Sequence, residues 1–166
     1  MSLVDTSAWV EFLRGTGSDT HRAVRHLLED GAPLHTTDVV MMEVLAGARD
    51  EDHHQRLRRL LASCDYLPVD GLAGYEAAAG LYRACRQAGE TVRTLTDCLI
   101  GAVALRAGVS VLHNDRDFDV LARHAGVRAE RAEPGAGNYL VLTDEASGPL
   151  SPRTRERAHA TSRTVT

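Results

Sequence analysis

The feature that most limits what this chain can fold into is an alternation: short β-branched apolar runs recur between segments with helical apolar spacing. The clearest run is 109–113, and shorter ones lie at Leu3-Val4, 34–36, 66–69 and 127–129. Between them helices are predicted over 8–13, 19–29, 38–48, 52–62, 71–88, 95–107 and 117–124. Gly31-Ala32-Pro33 breaks the second helix, Gly89, Gly108 and Gly126 stop three later ones, and Thr94 or Thr96 offers an N-cap. Such alternation builds parallel βαβ units, so the expected fold is α/β, with three layers and helices on both faces of a central parallel sheet. Sites in sheets of this kind form at the carboxyl ends of the strands, where Asp5 and Asp115 fall.

A chain of 166 residues with 43% apolar content fills one core and is too short for two ordinary domains. The expected domain is 1–132. After it the composition turns to Pro, Gly, Ser, Thr and Arg, apart from one apolar patch at 139–142, and 133–166 is expected to be a disordered tail. No apolar run approaches the roughly 20 residues of a membrane span, and Leu3-Val4 follows no basic lead-in, so the expected location is the cytoplasm. Cys64, Cys85 and Cys98 are odd in number and set in apolar stretches, which suits reduced core thiols.

All 19 basic residues are arginine. The lack of lysine argues against a P-loop, Schiff-base chemistry and phosphoryl-holding lysine sites. The net charge of -4 runs against ordinary nucleic-acid binders, which carry a basic surplus. Acids gathered at one site with divalent cations would reverse the local field, however.

Glu43 follows Val39 and Val40 on one helical face, with Ala46 and Gly47 beyond it, and Asp97 shares a face with Ile100, Gly101 and Ala104. Two acids are thus expected to point inward, where a lone carboxylate costs several kcal/mol unless a cation, a hydrogen-bond network or chemistry offsets it. Taken singly, each acid has a plain structural alternative. Asp97 suits the positive end of its helix, Asp5 suits a turn, and any acid of Asn114-Asp115-Arg116-Asp117 suits a helix cap. Together, Asp5, Glu43, Asp97 and Asp115 form an all-oxygen donor set suited to Mg²⁺ or Mn²⁺, and no histidine or cysteine spacing suits zinc. Hard cations at such acids activate water for phosphodiester displacement. Thr6 and Ser7 place hydroxyls beside Asp5, and His113 precedes the last acidic turn, where a structural role is the plainer reading.

The order of these segments resembles the PIN-domain ribonucleases, and more narrowly the VapC toxins of bacterial toxin-antitoxin pairs. The resemblance spans about 2–132 and rests on Leu3-Val4-Asp5-Thr6-Ser7, Met42-Glu43-Val44-Leu45-Ala46-Gly47, Thr94-Leu95-Thr96-Asp97-Cys98-Leu99-Ile100 and Asn114-Asp115-Arg116-Asp117-Phe118. It implies a PIN-like α/β/α fold with metal ligands at Asp5, Glu43, Asp97 and Asp115, Asp117 as an accessory acid, and Ser7 as the associated hydroxyl, with Thr6 and Asn114 in support. It further implies Mg²⁺ with Mn²⁺ as substitute, endonucleolytic cleavage of RNA, a homodimer and a VapB-type antitoxin as partner. The tail from Glu133 onward departs from the pattern. Arg93 and Arg116, the arginines nearest the motif acids, are candidates for substrate contact, with surface ion pairing as the alternative. Two rival functions remain open: a non-catalytic module that binds antitoxin and regulates transcription, and a structure-specific DNA nuclease of the same architecture.

Overall fold

A computed structural model of the chain describes residues 1–133; the expectation for the tail falls outside them beyond Glu133. The elements run β1 (Ser2–Val4), α1 (Thr6–Leu13), α2 (Asp19–Glu29), β2 (Leu34–Thr36), α3 (Asp38–Ala46), α4 (Glu51–Leu61), β3 (Asp65–Tyr66), α5 (Gly71–Gln87), α6 (Leu95–Ala107), β4 (Ser110–Leu112), α7 (Arg116–Ala125) and β5 (Ala129–Glu130). The five strands form one all-parallel sheet in the order β3-β2-β1-β4-β5. Every residue of β1, β2 and β4 is buried, which requires cover on both faces and bears out the helix-sheet-helix layering.

Local chemistry explains where the elements start and stop. α1 begins two residues earlier than its apolar spacing suggests, because the Asp5 carboxylate accepts the Ser7 backbone N–H and caps it. α4 likewise starts at Glu51 because Asp50 Oδ1 accepts from the His53 backbone N–H at 2.7 Å. β3 ends at Tyr66 instead of reaching Val69. Pro68 has no N–H to extend the ladder, and the Val69 N–H turns to the Asp38 carboxylate at 2.6 Å. Gly108 and Gly126 close α6 and α7 in the left-handed region, at φ of 67° and 72°, where a side chain would be strained.

The core joins Leu3 and Val4 of β1, Val111 and Leu112 of β4, Trp9, Val24, Ile100, Phe118 and Leu121. α6 is its central helix: from Cys98 to Ala104 every residue is buried. Gly101 lets neighbouring layers close on it, since a Cβ there would meet Val127 Cγ2 at 3.2 Å and Leu81 Cδ1 at 3.5 Å. All three cysteines are free, as expected, and burial holds the thiols of Cys64 and Cys98 up at about 11 and about 12.

The strand order puts a reversal between β1 and β4. From β1 the chain winds outward through β2 to β3, then crosses back to β4 and continues to β5 on the other side. The helices that leave the carboxyl ends of β1 and β4 therefore diverge. They leave a crevice at the edge where Asp5 and Asp115 stand.

Candidate active site

Asp5 is the residue after β1, and its backbone N–H donates to the Leu112 carbonyl at 2.9 Å, which fixes it against β4. Its side chain is 3% exposed. Oδ2 accepts from the Ser7 backbone N–H at 2.8 Å and from the Ser7 hydroxyl at 2.5 Å. That hydroxyl also accepts from the Asn114 backbone N–H at 2.9 Å, so one serine ties the end of β1 to the turn after β4. Burial pushes the Asp5 carboxyl above its ordinary value; Ser7 counters this, and the nearby Glu43 charge adds to it.

Glu43 comes from the middle of α3 and is held by the Thr6 hydroxyl, which donates to Oε2 at 2.5 Å. Asp97 lies in the first turn of α6. Thr94 caps that helix: its Oγ accepts from the Asp97 N–H at 3.2 Å, and its hydroxyl donates to Asp97 Oδ2 at 2.7 Å. Both acids are half-buried at the mouth of the crevice. The apolar stripes predicted to carry them inward place them at the edge of the core, where ions and solvent reach them.

Asp115 caps α7 by accepting from the Asp117 N–H at 3.0 Å. Asp117 is 1% exposed and accepts from the Arg93 backbone N–H at 2.7 Å and from Arg93 Nε at 3.1 Å; the same guanidinium donates through Nη2 to Asp115 Oδ1. Arg93 is thus paired with acids, whereas Arg116 is exposed and makes no ion pair among the described residues. His113 is buried against Phe118, and its Nδ1–H donates to the Asp115 carbonyl at 2.7 Å. Burial, with Arg131 nearby, lowers its tendency to charge, so the ring supports the turn as a neutral group.

Electrostatics show that these acids share one place. The Asp97 carboxyl is raised from 3.8 to about 7, first by burial and then by repulsion from Asp5, Asp115 and Asp117, against the Thr94 hydrogen bond. Residues from four separate elements or turns therefore act on one another at the reversal between β1 and β4. They line a common mouth and do not form a closed shell: among the described residues, no three His, Cys, Asp or Glu side chains are already grouped as an ion would group them. The donor set still fits a hard divalent ion. It is all oxygen, and its members repel one another until a cation offsets them.

Sequence reasoning did not find the Arg93 bridge or the double use of the Ser7 hydroxyl. Both join residues more than 20 positions apart, and no local pattern signals them.

The PIN domain family model matches residues 2–124. Ribonuclease VapC11 of Mycobacterium tuberculosis is 48% identical over 130 residues, which cover 78% of this chain and 97% of that protein. Ribonuclease VapC51 of the same species is 33% identical over 124 residues, 75% of this chain and 87% of its own. Among solved structures, VapBC2 from Rickettsia felis, bound to a DNA fragment from its promoter, has a TM-score of 0.62 at 14% identity and covers 80% of this chain and 98% of that one. DNA-bound VapBC from Salmonella typhimurium has a TM-score of 0.62 at 17% identity over 79% and 98%. At these identities the structural likeness speaks for the fold. With a family model spanning nearly all the described residues and relatives matched over most of their own length, the chain belongs to the PIN-domain family, in the group of the VapC ribonucleases.

Proposed function

We propose that this protein is an endoribonuclease that hydrolyses RNA phosphodiesters with Mg²⁺, Mn²⁺ substituting, at a centre of Asp5, Glu43, Asp97 and Asp115. It acts as the toxin of a toxin-antitoxin pair whose VapB-type antitoxin restrains it. The observation that carries this reading is the Asp97 carboxyl, pushed toward neutrality by burial and then further by three other acids at a strand-order reversal. Structural acids in a folded core are paired, and a cluster that repels itself is an unfavourable arrangement unless a cation completes it. The 48% identity to a named ribonuclease over nearly its whole length supports RNA as the substrate class. The named toxin-antitoxin complexes among the structural neighbours support the partner. Homodimer formation and a cytoplasmic location belong to the same reading. Among the described residues no helix is long and apolar enough to cross a membrane.

A divalent ion at this centre supplies acidified water and positive charge for the phosphate oxygens. The protein's own groups do the rest. The Ser7 hydroxyl and N–H hold Asp5 Oδ2 in place, and the Thr6 hydroxyl holds Glu43 Oε2. Thr94 aims Asp97, and His113 fixes the turn that carries Asp115. Asp117, enclosed and bonded to Arg93, acts from behind Asp115 as an accessory acid. Arg116, exposed beside Asp115 and free of ion pairs among the described residues, is placed to contact a phosphate of the RNA.

Parallel digestion of end-labelled RNA and DNA by the purified protein, with Mg²⁺ or with EDTA, tests this. The expected result is cleavage of RNA alone, abolished by EDTA and by Asp97→Asn. Cleavage of DNA in preference to RNA would identify a DNA nuclease. A protein that cleaves neither and still binds antitoxin would be a non-catalytic module.

A further inference from the structure

We propose that Arg93 is the resident counter-cation of the acidic centre, a positioning residue whose hold on Asp115 a divalent ion has to displace, so that Arg93 sets how tightly the ion binds. The inference rests on the divalent-ion reading above and concerns what this chain's own side chains do before an ion arrives.

The geometry points to it through the way Arg93 is anchored. Its chain neighbours are immobilised, since Val92 is fully buried and Thr94 caps α6. Its backbone N–H and Nε between them occupy both oxygens of Asp117, at 2.7 and 3.1 Å. Asp117 is enclosed, and a carboxylate there needs this partner. The far nitrogen, Nη2, reaches on to Asp115 Oδ1, which also accepts the Asp117 N–H; Asp115 Oδ2 makes no hydrogen bond among the described residues.

One guanidinium therefore holds a buried acid at its base and a partly exposed acid at its tip. Its own side chain is about half exposed, so the tip can swing aside while the backbone N–H stays on Asp117. Arginine cannot shed its proton at any working pH, so the positive charge remains beside the centre. It relieves the mutual repulsion of the acids in the ion-free protein and opposes an incoming dication. Substrate clamping suits it less than it suits Arg116, because two of its three guanidinium nitrogens, Nε and Nη2, already donate to carboxylates.

The test is a calorimetric titration of Mn²⁺ into the full chain, with thermal unfolding in EDTA alongside. Relative to the unsubstituted protein, Arg93→Gln is expected to bind Mn²⁺ about tenfold more tightly and to unfold at a lower temperature in EDTA. Arg93→Lys keeps the charge and loses the two-carboxylate fork. It is expected to bind Mn²⁺ nearly as the unsubstituted protein does, with the lower unfolding temperature only partly restored. Equal or weaker Mn²⁺ binding by Arg93→Gln overturns the inference while leaving the ion reading intact. Failure of the unsubstituted protein to bind Mn²⁺ overturns both. Should Arg93→Gln not fold, the Arg93 Nε–H resonance of the unsubstituted protein during a Mg²⁺ titration decides: displacement moves it with the midpoint of ion binding, and a resonance that stays put overturns the inference.

Discussion

Asp38 and Asp97 look alike in sequence, each an acid near the start of a helix at the same edge of the sheet, and their surroundings differ completely. Asp38 follows β2 and lines an apolar groove with Thr36, Met41, Met42, Leu61 and Tyr66. It accepts from the Tyr66 hydroxyl and from the Val69 N–H at 2.6 Å. Burial pushes its carboxyl up, and these two donors together outweigh it and hold the carboxyl below its ordinary value. Asp97, more deeply buried, with one hydroxyl partner and three acids acting on it, is driven the other way, to about 7. What distinguishes them is how deeply each is buried and whether the surrounding groups donate hydrogen bonds or carry the same charge.

Removing the charge from each gives the largest contrast. Asp97→Asn should reduce RNA cleavage about 10³-fold, the several kcal/mol that a metal centre contributes at 1.36 kcal/mol per decade. Asp38→Asn should leave cleavage within about twofold and cost about 1.5 kcal/mol of stability, the low end of the range for a hydrogen bond to a charged group. Initial rates and urea unfolding of both variants check this, and loss of activity in Asp38→Asn with the fold intact would break the distinction.

The next effect concerns the core beneath Asp97. Ile100, fully buried one turn along the same helix, should lose about 2–5 kcal/mol on replacement by alanine. Fold loss is then separable from chemistry: Ile100→Ala should still cleave RNA at temperatures well below its lowered melting point.

Protonation sharpens the contrast further, because the two carboxyls are shifted in opposite directions. The folded protein keeps a proton on Asp97 up to about pH 7, while the unfolded chain releases it near 3.8. Between these values the folded state binds the extra proton, so the stability of the ion-free protein falls as pH rises through that window and levels off above it. After discounting for solvent screening the loss is roughly 2 kcal/mol. Asp38 contributes stability above 3.8 that is lost as pH falls through its lowered value. Unfolding midpoints in EDTA from pH 4 to pH 8 should slope downward in the unsubstituted protein, more weakly in Asp97→Asn, and recover at pH 8 when Mn²⁺ is added.

The smallest effect tests a single hydroxyl. Thr6→Val removes the donor to Glu43 Oε2 and should slow cleavage severalfold, about 1 kcal/mol, with the melting temperature nearly unchanged.

Much of the fold was legible before any coordinates. Helices at 19–29 and 95–107 and the strand at 34–36 fall where their spacing and caps put them, because Ser18, Thr94 and Gly108 act on adjacent backbone. Boundaries shifted where a distant group intervened, as when Asp38 draws off the Val69 N–H and shortens β3. The family was legible too, since the motifs that carry the resemblance are local in the sequence. The role of Arg93 was not. Beside Thr94 it reads as a surface cation awaiting phosphate, and only the approach of the 115–117 turn places two carboxylates on it.

By itself, then, the sequence determined which residues carry oxygen donors, which segments are strands or helices, and that the strands run parallel. All of these follow from neighbours along the chain. The tertiary structure alone decided that Asp38 is satisfied while Asp97 is strained, and that Arg93 faces inward to acids and Arg116 outward to solvent. Charge and desolvation act through space, so a carboxylate's proton affinity is set by groups that fold against it.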